Sequence, residues 1–173
     1  MKHSIVLIGF MGTGKTEVGK VLSKRLKFNF FDIDNLIEEK TGLKINNIFK
    51  KFRENYFRQI EAQIVKEISK EDFAVIACGG GTALNRDNIA ILRAKSVIIN
   101  LYACAEVIYE RIKKNNDRPI LKCQDPLIKI KELLQVRKDV YINCDFSFNT
   151  GGLSILEVVE GLINKINWFH FCV

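Results

Sequence analysis

Short apolar runs and helix-period stretches alternate along the chain. Ile5-Val6-Leu7-Ile8 is an uninterrupted run of aliphatic residues, the pattern of a strand covered on both faces in a parallel sheet. Phe73-Ala74-Val75-Ile76-Ala77 and Ser96-Val97-Ile98-Ile99 repeat it, and Asn29-Phe30-Phe31 and Asp145-Phe146-Ser147-Phe148 are weaker versions. Between these runs the period changes. Val18, Val21, Leu22 and Leu26 recur at three- and four-residue steps, as do Phe57, Ile60, Ile64 and Ile68, the spacing that lines one face of a helix. Further helices are predicted over about 86–94, 104–114, 126–143 and 153–167. Strands alternating with helices predict one α/β domain on a mostly parallel sheet. No internal repeat, low-complexity tract or linker interrupts the pattern. Both prolines, Pro119 and Pro126, fall in a polar stretch from about 114 to 126, the expected place for a mobile loop, with an ordinary surface connection as the alternative.

Composition narrows the chemistry. A chain of 173 residues suits one compact domain with its own core, and 47% hydrophobic with 27% charged residues is ordinary for a globular protein. The 27 Lys and Arg against 20 Asp and Glu leave a formal charge of +7, which predicts anionic partners: nucleic acid, membrane headgroups, or small phosphorylated or carboxylated ligands. Only two histidines occur, His3 and His170, which argues against a His-based triad or a multi-His metal site. The five cysteines are scattered with no C-x-x-C pair, so free thiols in a reducing compartment are expected. No apolar run approaches the roughly 18 residues of a membrane span. The apolar stretch after Met1-Lys2-His3 leads into a glycine motif rather than a cleavage site. A cytoplasmic location is therefore expected.

The glycines are sharper. Of 11, three lie within Gly9–Gly14 and three form Gly79-Gly80-Gly81. Each cluster directly follows a predicted buried strand, at the carboxyl end where parallel sheets bind ligands. Gly9-Phe10-Met11-Gly12-Thr13-Gly14-Lys15-Thr16 matches G-x-x-x-x-G-K-[ST] between a strand and a helix. Glycines there let the backbone curl so that successive N–H groups face an anion, and the next helix adds the positive end of its dipole. Lys15 can reach the β- and γ-phosphates, and the Thr16 hydroxyl can ligate the bridging magnesium ion. A nucleoside triphosphate is the expected ligand. The chain has no N-K-x-D motif, which argues against a GTPase and favours a small kinase.

Candidates for the acceptor side follow. Phe31-Asp32-Ile33-Asp34 ends the second predicted strand. Alternation along that strand would put both carboxylates on one side near the phosphate loop, one for magnesium and one to orient or deprotonate a hydroxyl. The alternative is that Asp34 caps the helix that follows. Arg58 and Glu61 are spaced so that the carboxylate can pin the guanidinium, although a surface ion pair has the same spacing. Gly79-Gly80-Gly81 offers either close backbone approach to a ligand or a loose turn. Arg111, Arg118 and Arg137 lie in or around the proline-containing stretch, where a solvated basic face is the other reading.

Taken in order, these pieces resemble the shikimate kinase family. The resemblance rests on Gly9-Phe10-Met11-Gly12-x-Gly14-Lys15-Thr16-x-x-Gly19, Phe31-Asp32-Ile33-Asp34, Phe57-Arg58-x-x-Glu61, Gly79-Gly80-Gly81, Arg118-Pro119-Ile120-Leu121 and Arg137-x-x-x-Tyr141, and spans nearly the whole chain. It implies a three-layer α/β/α P-loop kinase fold with a five-stranded parallel sheet, a substrate-binding helical region at about 33–61 and a mobile lid at about 112–126. It implies transfer of the ATP γ-phosphate to the 3-hydroxyl of shikimate, on the way to chorismate and the aromatic amino acids, by a monomer that uses Mg²⁺. Gly12, Thr13, Gly14, Lys15, Thr16 and Glu17 would hold ATP phosphates, with Arg111 near the adenine and Arg118 arriving with the lid. Asp34 would contact the reacting hydroxyl, while Asp32 would help Thr16 hold magnesium through water. Arg58 and Arg137 would bind the shikimate carboxylate, and Gly79, Gly80 and Gly81 would line the substrate. Two arginines suit a carboxylate because their planar forks bind it bidentately.

Two departures stand out. Glu17 occupies a place where a small or hydroxyl residue is commoner in the family, and Asn149-Thr150-Gly151-Gly152 lacks an arginine that some members place near the adenine. The rivals are another small-molecule or nucleoside monophosphate kinase of the same fold, such as a gluconate kinase, and a P-loop protein that binds nucleic acid. A nucleotide acceptor calls for more arginines. Single-strand binding calls for exposed aromatics among basic residues, whereas the Phe and Tyr residues mostly occupy core-like positions.

Overall fold

A computed structural model describes residues 2–113 and 123–166. Five parallel strands form one sheet in the order β2-β3-β1-β4-β5. The three uninterrupted apolar runs are its centre: β1 (Ser4–Ile8), β3 (Ala74–Ala77) and β4 (Ser96–Tyr102), with every residue of β1 and β3 buried. The two weaker runs are its edges, β2 (Asn29–Asp32) and β5 (Phe146–Asn149). An edge strand loses cover on one side, so its sequence can carry polar positions that a central strand cannot.

Alternation along β1 divides the core into two layers. Val6 and Ile8 face one way, with Ile76 and Ile98 of the neighbouring strands, and meet Ile64, Ile89, Leu92, Ile108 and Ile130. Ile5 and Leu7 face the other way, with Val75, Val97 and Ile99, and meet Val18, Leu22, Val158 and Leu162. The first layer is covered by α3 (Ile45–Ile68), α4 (Arg86–Arg93), α5 (Ala105–Ile112) and α6 (Pro126–Val136). The second is covered by α1 (Lys15–Leu26) and α8 (Ile155–Ile166). The result is the expected three-layer α/β/α arrangement.

Four local departures from the expected elements matter for the site. No loop separates β2 from α2 (Ile33–Thr41), because Asp32 is both the last strand residue and the helix N-cap, its Oδ1 accepting from the Asn35 N–H at 3.2 Å. The helix over 126–143 is two, α6 and α7 (Lys138–Ile142), divided at Arg137 where ψ rises to 3°. Pro126 opens α6 at its first turn, with Asp125 as the cap accepting from the Ile128 N–H at 3.0 Å, so it is a helix start rather than part of the loop. Finally, α3 is kinked at Arg53, where φ is 66° and ψ is 178°. Cys78, Cys104 and Cys144 are thiols rather than disulfides. Arg118, the greater part of the expected lid, and His170 lie outside the described residues.

Candidate active site

The chain from Gly9 to Gly14 leaves β1 and turns back into the N-terminus of α1. Gly9 has no room for a side chain, since a β-carbon would collide with the Leu101 carbonyl at the end of β4. Gly14 caps α1 with φ at 93°, in the left-handed region that glycine enters without penalty. Thr13 Oγ1 donates to the Phe10 carbonyl at 2.8 Å. Lys15 is buried, and its Nζ lies along the inside of the same loop, donating to the Gly9 and Phe10 carbonyls at 2.9 Å each. A cation and the amino end of a helix are thus held at one spot, which is the arrangement that binds phosphate.

Beside it, the Thr16 hydroxyl donates to Asp32 Oδ2 at 2.7 Å. These are hard oxygen donors at the mouth of the phosphate loop, and the described residues contain no cluster of three or more His, Cys, Asp or Glu that could hold a metal. That donor set fits Mg²⁺ well, because this ion is commonly held by one or two protein oxygens together with phosphates and water.

The two aspartates do not share a strand face. β2 ends at Asp32, and Asp34 lies in the first turn of α2; the helix cap is Asp32 rather than Asp34. Alternation was the wrong geometry, because a helix advances about 100° per residue where a strand advances 180°. Asp34 nevertheless reaches the glycine turn after β3. A β-carbon on Gly79 would lie 2.5 Å from Asp34 Oδ1.

The same turn gathers the expected carboxylate-binding arginines. A β-carbon on Gly81 would lie 2.5 Å from Arg58 Nη2 and 2.8 Å from Nη1. The Gly80 carbonyl accepts from Arg137 Nη1 at 3.2 Å and from the Tyr141 hydroxyl at 2.8 Å. Gly80 also faces the phosphate loop, 3.5 Å separating the Met11 nitrogen from where its β-carbon would be. None of the three glycines has a positive φ. At Gly79 and Gly81 the requirement is room, since the turn is packed closely against Asp34 and Arg58, whereas a β-carbon on Gly80 would meet only ordinary contact.

Glu61 makes Arg58 more than a surface ion pair. Its carboxylate is 1% exposed and accepts from Arg58 Nη1 at 2.8 Å and from Thr82 Oγ1 at 2.7 Å. On the outer side, Arg58 Nε and Nη2 donate to Glu54 Oε1 at 3.2 and 3.0 Å. Burial disfavours the Arg58 charge, but Glu61 and then Glu54 more than compensate and hold its pKa above the usual value. Burial likewise pushes the Tyr141 hydroxyl up, against an opposing influence from Arg137, so it stays a neutral donor to Gly80. At the end of β3 the buried Cys78 thiol is pushed up by burial first and by the Glu61 carboxylate next, with Lys15 opposing and Asp34 and Asp32 adding.

Arg111 stands on the far side of the phosphate loop. Its Nη1 donates to the Gly12 carbonyl at 3.2 Å and to Thr150 Oγ1 at 2.9 Å, and its Nη2 donates to the Thr150 carbonyl at 2.6 Å. Three participants escaped the sequence reading of the site. Thr82 carries no signal beyond following three glycines. Tyr141 is foreshadowed only by its spacing from Arg137, and Thr150 lies in a segment notable for lacking an arginine.

Over nearly its whole length the chain is similar to shikimate kinases. The family model described as shikimate kinase matches residues 11–167. A shikimate kinase of Thermodesulfovibrio yellowstonii is 47% identical over 162 residues, 94% of each chain. Among solved structures, a shikimate kinase from Acinetobacter baumannii in complex with shikimate superposes with a TM-score of 0.93 at 30% identity, covering 99% of this chain and 96% of that one. The shikimate kinase from Aquifex aeolicus superposes with a TM-score of 0.85 at 33% identity, covering 97% and 98% respectively.

Proposed function

The chain belongs to the shikimate kinase family, and from that premise we propose which residues carry out its reaction. It is an ATP-dependent kinase that phosphorylates shikimate, with the P-loop kinase fold. One observation carries the assignment of residues: the Gly79-Gly80-Gly81 turn packs against Asp34, Arg58 and Arg137, a carboxylate and two guanidiniums, within contact of the phosphate loop at Met11. A polyhydroxylated carboxylic acid needs both kinds of partner.

In this reading, the N–H groups of Gly12 to Glu17 and the Lys15 ammonium hold the ATP phosphates. Thr16 and, through water, Asp32 would hold Mg²⁺, which would supply positive charge to the transferring phosphoryl group. Arg58 and Arg137 receive the shikimate carboxylate, the former pre-oriented by Glu61 and the latter by its bond to Gly80. With the carboxylate anchored, Asp34 beside Gly79 meets the 3-hydroxyl and orients it or takes its proton as the γ-phosphoryl group arrives. Lys15 then faces the charge that develops on the phosphoryl oxygens. Residues about 33–61 form the substrate-binding region, and about 112–126 the lid, whose Arg118 joins the phosphates and whose closure excludes water as a competing acceptor. Among the described residues no helix is long and apolar enough to cross a membrane, and we place the enzyme in the cytoplasm as a monomer.

The test is ADP release from MgATP with shikimate, gluconate, AMP or CMP as the second substrate. Turnover is expected with shikimate alone, with loss of activity on chelation of the metal. Turnover with a nucleoside monophosphate and none with shikimate would overturn the assignment.

A further inference from the structure

The phosphate loop is gripped from outside by groups that do not face its hollow. Thr150 follows β5 and is 1% exposed. Its backbone N–H extends the sheet by donating to the Tyr102 carbonyl at 2.8 Å. Its hydroxyl points to the Thr13 and Tyr102 carbonyls, each 3.2 Å away, and one proton must serve both. Arg111 closes the arrangement by donating to both Thr150 oxygens and to the Gly12 carbonyl. On the same side α5 presses against the loop tip, where a β-carbon on Gly12 would lie 2.8 Å from Ile112 Cγ2.

The consequence follows from the planarity of the peptide. In a trans peptide the carbonyl and the next N–H point in opposite directions. A carbonyl pulled outward therefore sets the following N–H inward. Arg111 holds the Gly12 carbonyl, which fixes the Thr13 N–H; Thr150 holds the Thr13 carbonyl, which fixes the Gly14 N–H. The three glycines that let the loop curl also leave it free to uncurl, so its shape depends on neighbours as well as on the bonds that Thr13 and Lys15 make within it. Thr150 and Arg111 act at two successive peptides.

We propose that Thr150 is a positioning residue for phosphate binding: supported by Arg111, its hydroxyl ties the Thr13 peptide to the β4–β5 end of the sheet and keeps the Gly14 N–H aimed at the ATP phosphates. The proposal rests on the reading that Gly9–Thr16 holds those phosphates. Arg111 then contributes its donors to the loop itself, in addition to any contact between its face and the base. The segment Asn149-Thr150-Gly151-Gly152 carries no arginine, yet through Thr150 it acts on the phosphate loop.

The experiment compares Thr150→Val, which keeps the shape and removes the hydroxyl, with Thr150→Ser, which keeps the hydroxyl. Steady-state kinetics with each substrate varied, and the calorimetric Kd of MgADP, are measured for both and for the unaltered enzyme. Thr150→Val is expected to raise the ATP KM and the ADP Kd about tenfold, equivalent to about 1.4 kcal/mol, with the shikimate KM within twofold. Thr150→Ser is expected to restore both nucleotide constants to within about threefold. Equal damage from Ser and Val, a matching rise in the shikimate KM, or unchanged nucleotide constants would each overturn the proposal. If Thr150→Val does not fold, Thr150→Ala, which also removes the hydroxyl, carries the same comparison against Thr150→Ser with the same expected split. An unaltered enzyme that binds neither ATP nor ADP would instead overturn the phosphate-loop reading, and this proposal with it.

Discussion

Replacing Arg53 by glycine should stabilise this protein, although glycine inside a helix ordinarily does the reverse. Arg53 has φ at 66° and ψ at 178° within α3, a backbone region that is essentially confined to glycine. The kink it creates has a visible effect. The rings of Phe49 and Phe57 lie 4.8 Å apart, whereas eight residues of straight helix would separate them by about 12 Å along the axis. A residue with a β-carbon held in this region costs about 1–3 kcal/mol. Glycine relieves that cost and adds back about 0.5–1 kcal/mol of chain entropy, so the net gain is about 1 kcal/mol. For a domain of this size, about 1 kcal/mol raises Tm by about 2–4 °C. Arg53→Ala keeps the β-carbon and is the control; at an exposed position it should change stability by less than about 0.5 kcal/mol. Thermal melts followed by circular dichroism, with urea midpoints as a second measure, decide the matter. A fall in Tm for Arg53→Gly, or equal effects from Gly and Ala, would show that the kink stores no strain.

Two further predictions address the site and the fold. In Gly81→Ala the new methyl would lie 2.5 Å from Arg58 Nη2, the far end of a flexible side chain. The guanidinium should therefore shift while the fold is kept: the shikimate KM rises about tenfold, the ATP KM and Tm change little, and an unchanged shikimate KM would remove Arg58 from the substrate site. At Asp145, burial pushes the carboxyl up, but Lys2, the Ile98 N–H and Arg93 outweigh it and hold the pKa below the ordinary value. A depressed folded pKa contributes stability that is present above the unfolded value of about 3.9 and is lost as pH falls through the folded one. Asp145→Asn should thus lower Tm at pH 7, with the gap from the unaltered protein closing below about pH 4. A gap that does not depend on pH would mean that the charge is not what stabilises.

The sequence showed most of this architecture where burial leaves a compositional mark. Central strands must be apolar on both faces, so Ile5–Ile8, Ala74–Ala77 and Ser96–Ile99 declare themselves, while Asn29–Asp32 and Phe146–Asn149 are fainter because edges tolerate polar residues. What escaped was backbone conformation without its usual residue. Arg53 takes a glycine's conformation without being glycine, so nothing in Phe52-Arg53-Glu54 marks a kink. The break at Arg137 has neither Gly nor Pro beside it. The Asp32–Asp34 geometry was misjudged because the strand gives way to a helix with no intervening turn residue. Among site residues, the phosphate loop was legible because its chemistry fixes residue types at fixed spacings. Thr150 and Thr82 were not, since a hydroxyl that bonds a distant residue leaves no local pattern.

The sheet itself supplies the geometry that brings phosphate donor and acceptor together. β3 lies between β1 and β2, and in register Leu7 and Asp32 both pair with Ala77. The Cys78 N–H extends the ladder by donating to the Leu7 carbonyl at 3.0 Å. Adjacent strands are about 4.8 Å apart. The starts of the phosphate loop, the glycine turn and the Asp32 cap are therefore neighbours along the carboxyl ends of the strands, placed there by the backbone ladder. Loops that diverge from such a row need only a few residues to bring Lys15, Asp34 and Gly80 together, as the proposed assignment of roles requires. The arginines come from outside the row, on α3 and at the α6–α7 junction, and both are drawn onto the glycine turn. Part of the +7 charge is thus concentrated where two anionic substrates must meet. On the proposed assignment, Lys15, Arg58 and Arg137 would offset the cost of bringing like-charged substrates together, and they do so best when held in place. The buried Glu61 behind Arg58 and the Gly80 carbonyl beside Arg137 supply such anchors.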